Sequence, residues 1–192
     1  MATSATFEPL KWKMGQNNMG GYKAKLLFIP ADAVTAVPEV PSPDAAADAT
    51  ALVTATGTFT FSTGTDTVSA PVYLYSTDGE VGYTAEPQGE TDGISYKVTL
   101  TFFFPGDTPG MHAFNAMVKN TQGYYVIEDT DGQQILIGQP GLTAATSPSF
   151  SGGQARSDRR GTTYTATADS NYSAIFLGTK IDFATGKAAT DA

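Results

Sequence analysis

ISYKVTLTFFF, residues 94–104, alternates apolar and polar side chains before ending in three phenylalanines. Ile94, Tyr96, Val98, Leu100, Phe102 and Phe104 fall on one face of an extended chain, with Ser95, Lys97, Thr99 and Thr101 on the other. A period of two is that of a half-buried β-strand. Pro105-Gly106 ends it.

The neighbouring segments repeat the theme. GYKAKLLFIP (21–30), ALVTATGTFTF (51–61), APVYLY (70–75) and VGYTAEP (81–87) read as strands, as do RGTTYTATADS (160–170) and NYSAIFLG (171–178). YYVIEDTDGQQILIG (124–138) reads as a hairpin, because Asp131-Gly132 is a tight-turn pair between two apolar runs. One segment has helical character. In 107–123, Thr108 is placed to cap, Pro109 fits the first helical position, and Ala113, Phe114, Met117 and Val118 form an apolar stripe. Asn120 and Gly123 supply the stop.

Residues 31–50, rich in Ala, Pro and Asp, and residues 139–153 read as two extended loops, and 184–192 as a flexible tail. The expected fold is mainly β: an antiparallel β-sandwich or split β-barrel with one α-helix and two long loops, in a single domain over 1–192.

Composition excludes several kinds of chemistry. The 192 residues hold no cysteine and one histidine, His112, which removes disulfides, thiolate metal sites and most zinc and acid–base arrangements. Lys and Arg number 11 against 19 Asp and Glu, for a net charge of -8. Affinity for nucleic acid rests on cationic contacts to phosphate, so a sequence-reading nucleic-acid module is not expected. No run approaches the length of a membrane span, and MATSATFEPLKWKMG lacks the apolar centre of a secretory signal. A soluble chain made in the cytoplasm is expected.

Specific motifs fail in the same direction. Asp129-Thr130-Asp131-Gly132 opens like a calcium loop, but the later ligand positions hold Gln133, Ile135, Ile137 and Pro140. There is no Gly-x-Ser-x-Gly elbow and no phosphate loop. Tyr124 and Tyr125 lack the interleaved cations that a single-strand stacking platform needs. The reading is a protein without catalysis, cofactor or metal.

The chain's three arginines, Arg156, Arg159 and Arg160, all lie in SGGQARSDRRG (151–161), around Asp158. Guanidinium pairs bidentately with carboxylate or phosphate. In an acidic chain, neighbouring copies would supply carboxylates. A solvated turn and an inter-subunit ion-pair joint through Arg156, Asp158, Arg159 and Arg160 are the two leading readings, ahead of a phosphate site.

Three stretches carry a resemblance to a known family: NMGGYKAKLLFIPADAV (18–34), the strand–helix–hairpin unit from Ile94 to Gly138, and SDRRGTTYTATADSNYSAIFL (157–177). Together they resemble the tail-tube proteins of tailed bacteriophages and, more loosely, phage neck and tail-completion proteins. The resemblance implies subunits whose sheets join in a ring, usually of six, with rings stacking into a channel for DNA. It implies partners that are copies of the chain and other tail or neck proteins, a virion location, and no catalytic residues. On that reading, loops 31–50 and 139–153 are the arms between rings, and Glu80, Glu86 and Glu128 are candidates for a repulsive channel lining. The match lacks the long stacking hairpin of many tube proteins. Alternatives are a neck, tail-completion or capsid-decorating role, or a secreted carbohydrate-binding or adhesin module.

Overall fold

The computed structural model describes residues 9–12, 14–15, 19–61 and 71–183. The expected tail, 184–192, lies outside them. Twelve strands and one α-helix appear among the described residues. In chain order they are β1 (Tyr22–Pro30), β2 (Val34–Ala36), β3 (Thr54–Ala55), β4 (Thr60–Phe61), β5 (Val72–Tyr75), β6 (Gly82–Gln88) and β7 (Ser95–Pro105). After α1 (Pro109–Val118) come β8 (Gly123–Asp129), β9 (Gln134–Ile137), β10 (Ala145–Ser151), β11 (Gly161–Ser170) and β12 (Ile175–Leu177).

Six strands form one sheet in the order β3-β12-β9-β8-β1-β5, and four form a second, β10-β11-β7-β6. All pairings are antiparallel except β12 with β3. The sheets stay open, so the fold is a sandwich and not a closed barrel.

Residues 94–104 behave as their alternation requires. Val98, Leu100 and Phe102 are buried in the main core, opposite Leu26 and Phe28 of β1, Tyr125 and Ile127 of β8, and Ile135 and Ile137 of β9. Ile94, at the strand's start, is exposed. Strand β11 pairs with β7 from Gly161–Pro105 to Ser170–Tyr96 and adds Tyr164, Ala166 and Ala168 to the same core.

Strands β1, β8 and β9 depart from alternation: Leu26–Pro30, Gly123–Ile127 and all of β9 are buried. A strand buried on both faces reads as a continuous apolar run. The second cover comes from the 31–61 segment. Ala55 and Phe59 sit with Leu27, Ile29, Tyr124, Val126 and Leu136 in a second core, against which Val34, Val37, Val40 and Phe61 pack. Residues 31–50 are therefore no free arm. They hold a 3-10 turn (Ala31–Ala33), β2 paired with β4, a Glu39–Thr56 bridge, and a buried Ala46.

The second expected loop is also corrected, since residues 145–151 form β10 on the edge of the four-stranded sheet. Its Thr- and Ser-rich sequence with Pro148 carries no apolar alternation. An edge position tolerates both. In 51–61, Gly57 at φ 93 breaks the expected long strand, leaving β3 and β4 separate.

Helix α1 begins as read: Thr108 accepts a hydrogen bond from the Met111 amide, and Pro109 follows it. The buried face differs, comprising Met111 and Val118, while Ala113 and Met117 are exposed. Phe114 closes the end of the sandwich, edge-on to Phe28 at 6.1 Å and to Tyr164 at 5.7 Å. The β8–β9 turn is as expected, with Gly132 at φ 80 donating to the Asp129 carbonyl. Gly123 meets a different demand. A Cβ there would lie 2.4 Å from the Ile29 carbonyl oxygen, so β8 can approach β1 only without a side chain.

Polar groups inside the sandwich are matched. Tyr125 Oη and Thr146 Oγ1 lie 2.6 Å apart. Tyr164 donates to Asn115 Oδ1, and Asn115 donates to Thr162 Oγ1. Burial pushes the Tyr164 phenol up to about 12, and pushes Tyr125 up as well. A phenol whose folded pKa is raised stabilises the fold below its unfolded value near 10, and that contribution is lost as pH rises toward 12. Tyrosinate absorbance of the buried phenols should therefore appear together with loss of circular dichroism. Their ionisation within an intact fold would contradict this packing.

Candidate functional site

The arginine turn spans the connection between β10 and β11. Asp158 holds it internally: its Oδ2 accepts from the Gln154 amide at 2.9 Å and the Ala155 amide at 2.8 Å. These two backbone donors, Ala155 first, hold the Asp158 carboxyl below its ordinary value of 3.8. A depressed carboxylate contributes order above that value and loses it as pH falls through the folded pKa. Asp158→Asn should loosen the turn without unfolding the sandwich. The check is faster exchange of the Gln154 and Ala155 amides, with wild type behaving similarly only in acid below about pH 3.8.

Arg159 lies over the Phe103 ring at 4.0 Å, and its Nη1 donates to Glu80 Oε1 at 2.6 Å. Arg160 Nη1 is 3.7 Å from Asp107 Oδ2, whose other oxygen is 2.8 Å from His112 Nε2. His112 in turn meets the half-exposed Phe150 ring edge-on at 4.8 Å. The Arg160 carbonyl accepts from the Gly106 amide, which ties the turn to the end of β7.

Two of the three arginines, Arg159 and Arg160, meet carboxylates of their own chain, and Asp158 meets backbone amides. Asp158, Arg159 and Arg160 have partners within the chain, because the β10–β11 connection folds back onto the turns after β5 and β7. Exposed pairs of this kind contribute about 0–1 kcal/mol each. Arg156 is exposed and makes no ion pair among the described residues.

The three candidate acids do not converge. Glu80 is held by Arg159, and Glu128 in the six-stranded sheet pairs with Lys23. Glu86 is exposed on β6, in register with Lys97 of β7. Glu86 alone of the three has no ion pair among the described residues.

Three other features escape a linear reading because the tertiary fold creates them. The first is the pair of edges of the four-stranded sheet. Among the described residues, strands β6 and β10, seven residues each, pair on one side only. Each carries one proline, Pro87 and Pro148. The second is an apolar cavity of about 300 Å³ where β5, β7 and β11 meet the start of α1, lined by Val72, Leu74, Phe102, Phe104, Met111 and Phe114 among others. The third is a cleft of about 250 Å³ bordered by Glu39, Gln139, Asn171 and Tyr172.

Among the described residues there is no group of three or more His, Cys, Asp or Glu side chains that could hold a metal ion, and no helix is long and apolar enough to cross a membrane. Comparison of the chain with protein-family models, curated proteins and solved structures finds no match.

Proposed function

We propose that this chain is a structural virion protein, a self-assembling subunit of a phage tail tube through which DNA passes without specific binding. The observation that supports the reading best is the four-stranded sheet, both of whose edges are unpaired among the described residues. Joining β6 of one copy to β10 of the next is a head-to-tail contact, and such contacts close into rings when the rotation permits. A ring also removes the unpaired edges, which are an aggregation hazard in a Thr-rich sheet. Pro87 and Pro148 restrict backbone pairing to short segments on either side of them. That favours one register over indefinite strand addition. Net charge of -8 suits a conduit that must not retain polyanion.

Negative-stain imaging of concentrated protein is the test: rings or stacked rings are expected, and uniform monomers would contradict the reading. A second reading, a glycan-binding module, draws on the cleft between Glu39, Gln139, Asn171 and Tyr172, which combines an aromatic ring with amide and carboxylate groups. It predicts glycan binding by the monomer, abolished by Tyr172→Ala.

A further inference from the structure

Large apolar side chains are unusually exposed in one short part of the chain. Leu10 and Met14 are fully exposed and Trp12 is 74% exposed. Between them in sequence stand Lys11 and Lys13, so PLKWKM has the alternation of a strand with one apolar and one cationic face. Among the described residues nothing covers Leu10, Trp12 or Met14. Scattered single exposures need no explanation, but three at alternate positions would share one side of the segment when it is extended.

The same protein has a recess that fits such a stripe. The cavity at the start of α1 is walled by aromatic and aliphatic side chains, and its volume of about 300 Å³ accommodates an indole. Tyr75 and Thr108 line it and bring the only side-chain hydroxyls besides Tyr164. A buried indole N–H needs an acceptor of this kind. Charge agrees as well: the arm carries Lys11 and Lys13 in a chain of net charge -8. Asp78, exposed and without an ion pair among the described residues, follows three positions after Tyr75.

We propose that the N-terminal arm of one copy docks on a second copy, with Trp12 inserted into the partner's cavity between β5, β7 and α1, and Leu10 and Met14 against its rim. This deepens the assembly reading and rests on it for the presence of a neighbouring copy. A buried Trp in a pocket is a typical energetic anchor of an interface. It would supply the attachment that short, proline-interrupted edges lack.

Trp12 is the only tryptophan, so its fluorescence reports the contact directly. Emission should move to shorter wavelength as concentration rises, in step with sedimentation of larger species. Two variants divide the contact. Trp12→Ala removes the anchor. Gly110→Leu fills the cavity, and a Cβ at Gly110 meets nothing within 4 Å, so the fold should accept it. Each variant alone should lose the arm contact with an unchanged circular dichroism spectrum. A mixture of the two should form a one-contact complex, in which the Trp12 of the Gly110→Leu chain shifts its emission on binding the Trp12→Ala chain. Emission that stays long at every concentration would overturn the proposal, as would a short-wavelength emission independent of concentration, which places the arm on its own chain. A small apolar dye that fills the cavity without displacing a docked arm would do the same. Rings with an exposed Trp12 sink the arm contact alone. A shifted Trp12 in dimers that never form rings sinks the tube reading alone.

Discussion

Phe102→Ala is expected to cost about 3–5 kcal/mol of folding stability, the range for removing a buried aromatic side chain. Phe102 is 1% exposed, stacks on Tyr164 at 4.7 Å with the rings 13° apart, and lies 6.0 Å from Tyr125. Its loss would strip contacts from both sheets at once. The new space would open into the existing cavity, which Phe102 already lines, so inward collapse would recover little. Urea unfolding measures the effect as a lower midpoint with an unchanged slope. Phe150→Ala is the control, because that ring is 41% exposed and should cost far less. Equal losses at the two sites would mean that Phe102 is not at the centre of the sandwich.

The second large effect concerns the segment expected to be a free arm. Replacing residues 37–50 by a Gly/Ser linker should destabilise the protein by at least about 2 kcal/mol, by the scale on which burying one valine gives roughly 1.5–3 kcal/mol. Val37 and Val40 pack on the second core, and Val40 shares a cleft with Leu136 and Ile175. Removal uncovers the far face of the six-stranded sheet, so binding of a hydrophobic dye should rise with the loss of stability. A linker variant as stable as wild type would restore the arm reading.

These two segments show how much of the fold was legible in the chain. Residues 94–104 announce themselves because one face is buried and the other is largely open up to Thr101, so composition alternates with the pleat until Phe103, which is buried on the second face. Residues 26–29 and 124–127 are buried on both faces, and their apolar runs do not say what covers the second face. That information lies in 31–61, whose Ala, Pro and Val pack without any period because they form a cover and not a regular element. The same limit explains β10: an edge strand of Ala, Thr, Ser and Pro has no burial pattern to reveal it.

The site was less legible than the fold. The clustering of Arg156, Arg159 and Arg160 in sequence suggested a joint, but pairing depends on which acids the turns bring close. Glu80 and Asp107 lie 79 and 53 positions from Arg159 and Arg160, beyond any local rule. Trp12 lies outside every segment that reads as a strand, so the sequence alone drew no attention to it. Its 74% exposure among the described residues, and the apolar cavity beside α1, emerge only from the fold.

The absence of cysteine allows the proposed edge contact to be tested at chosen positions. Thr84→Cys on β6 and Ser149→Cys on β10 both lie on exposed edge positions. Treated with a short thiol cross-linker at high protein concentration, the double variant should give a ladder of covalent oligomers that ends in one closed species, while each single variant stops at dimers or below. A double variant that remains monomeric under the same treatment would contradict assembly through these edges.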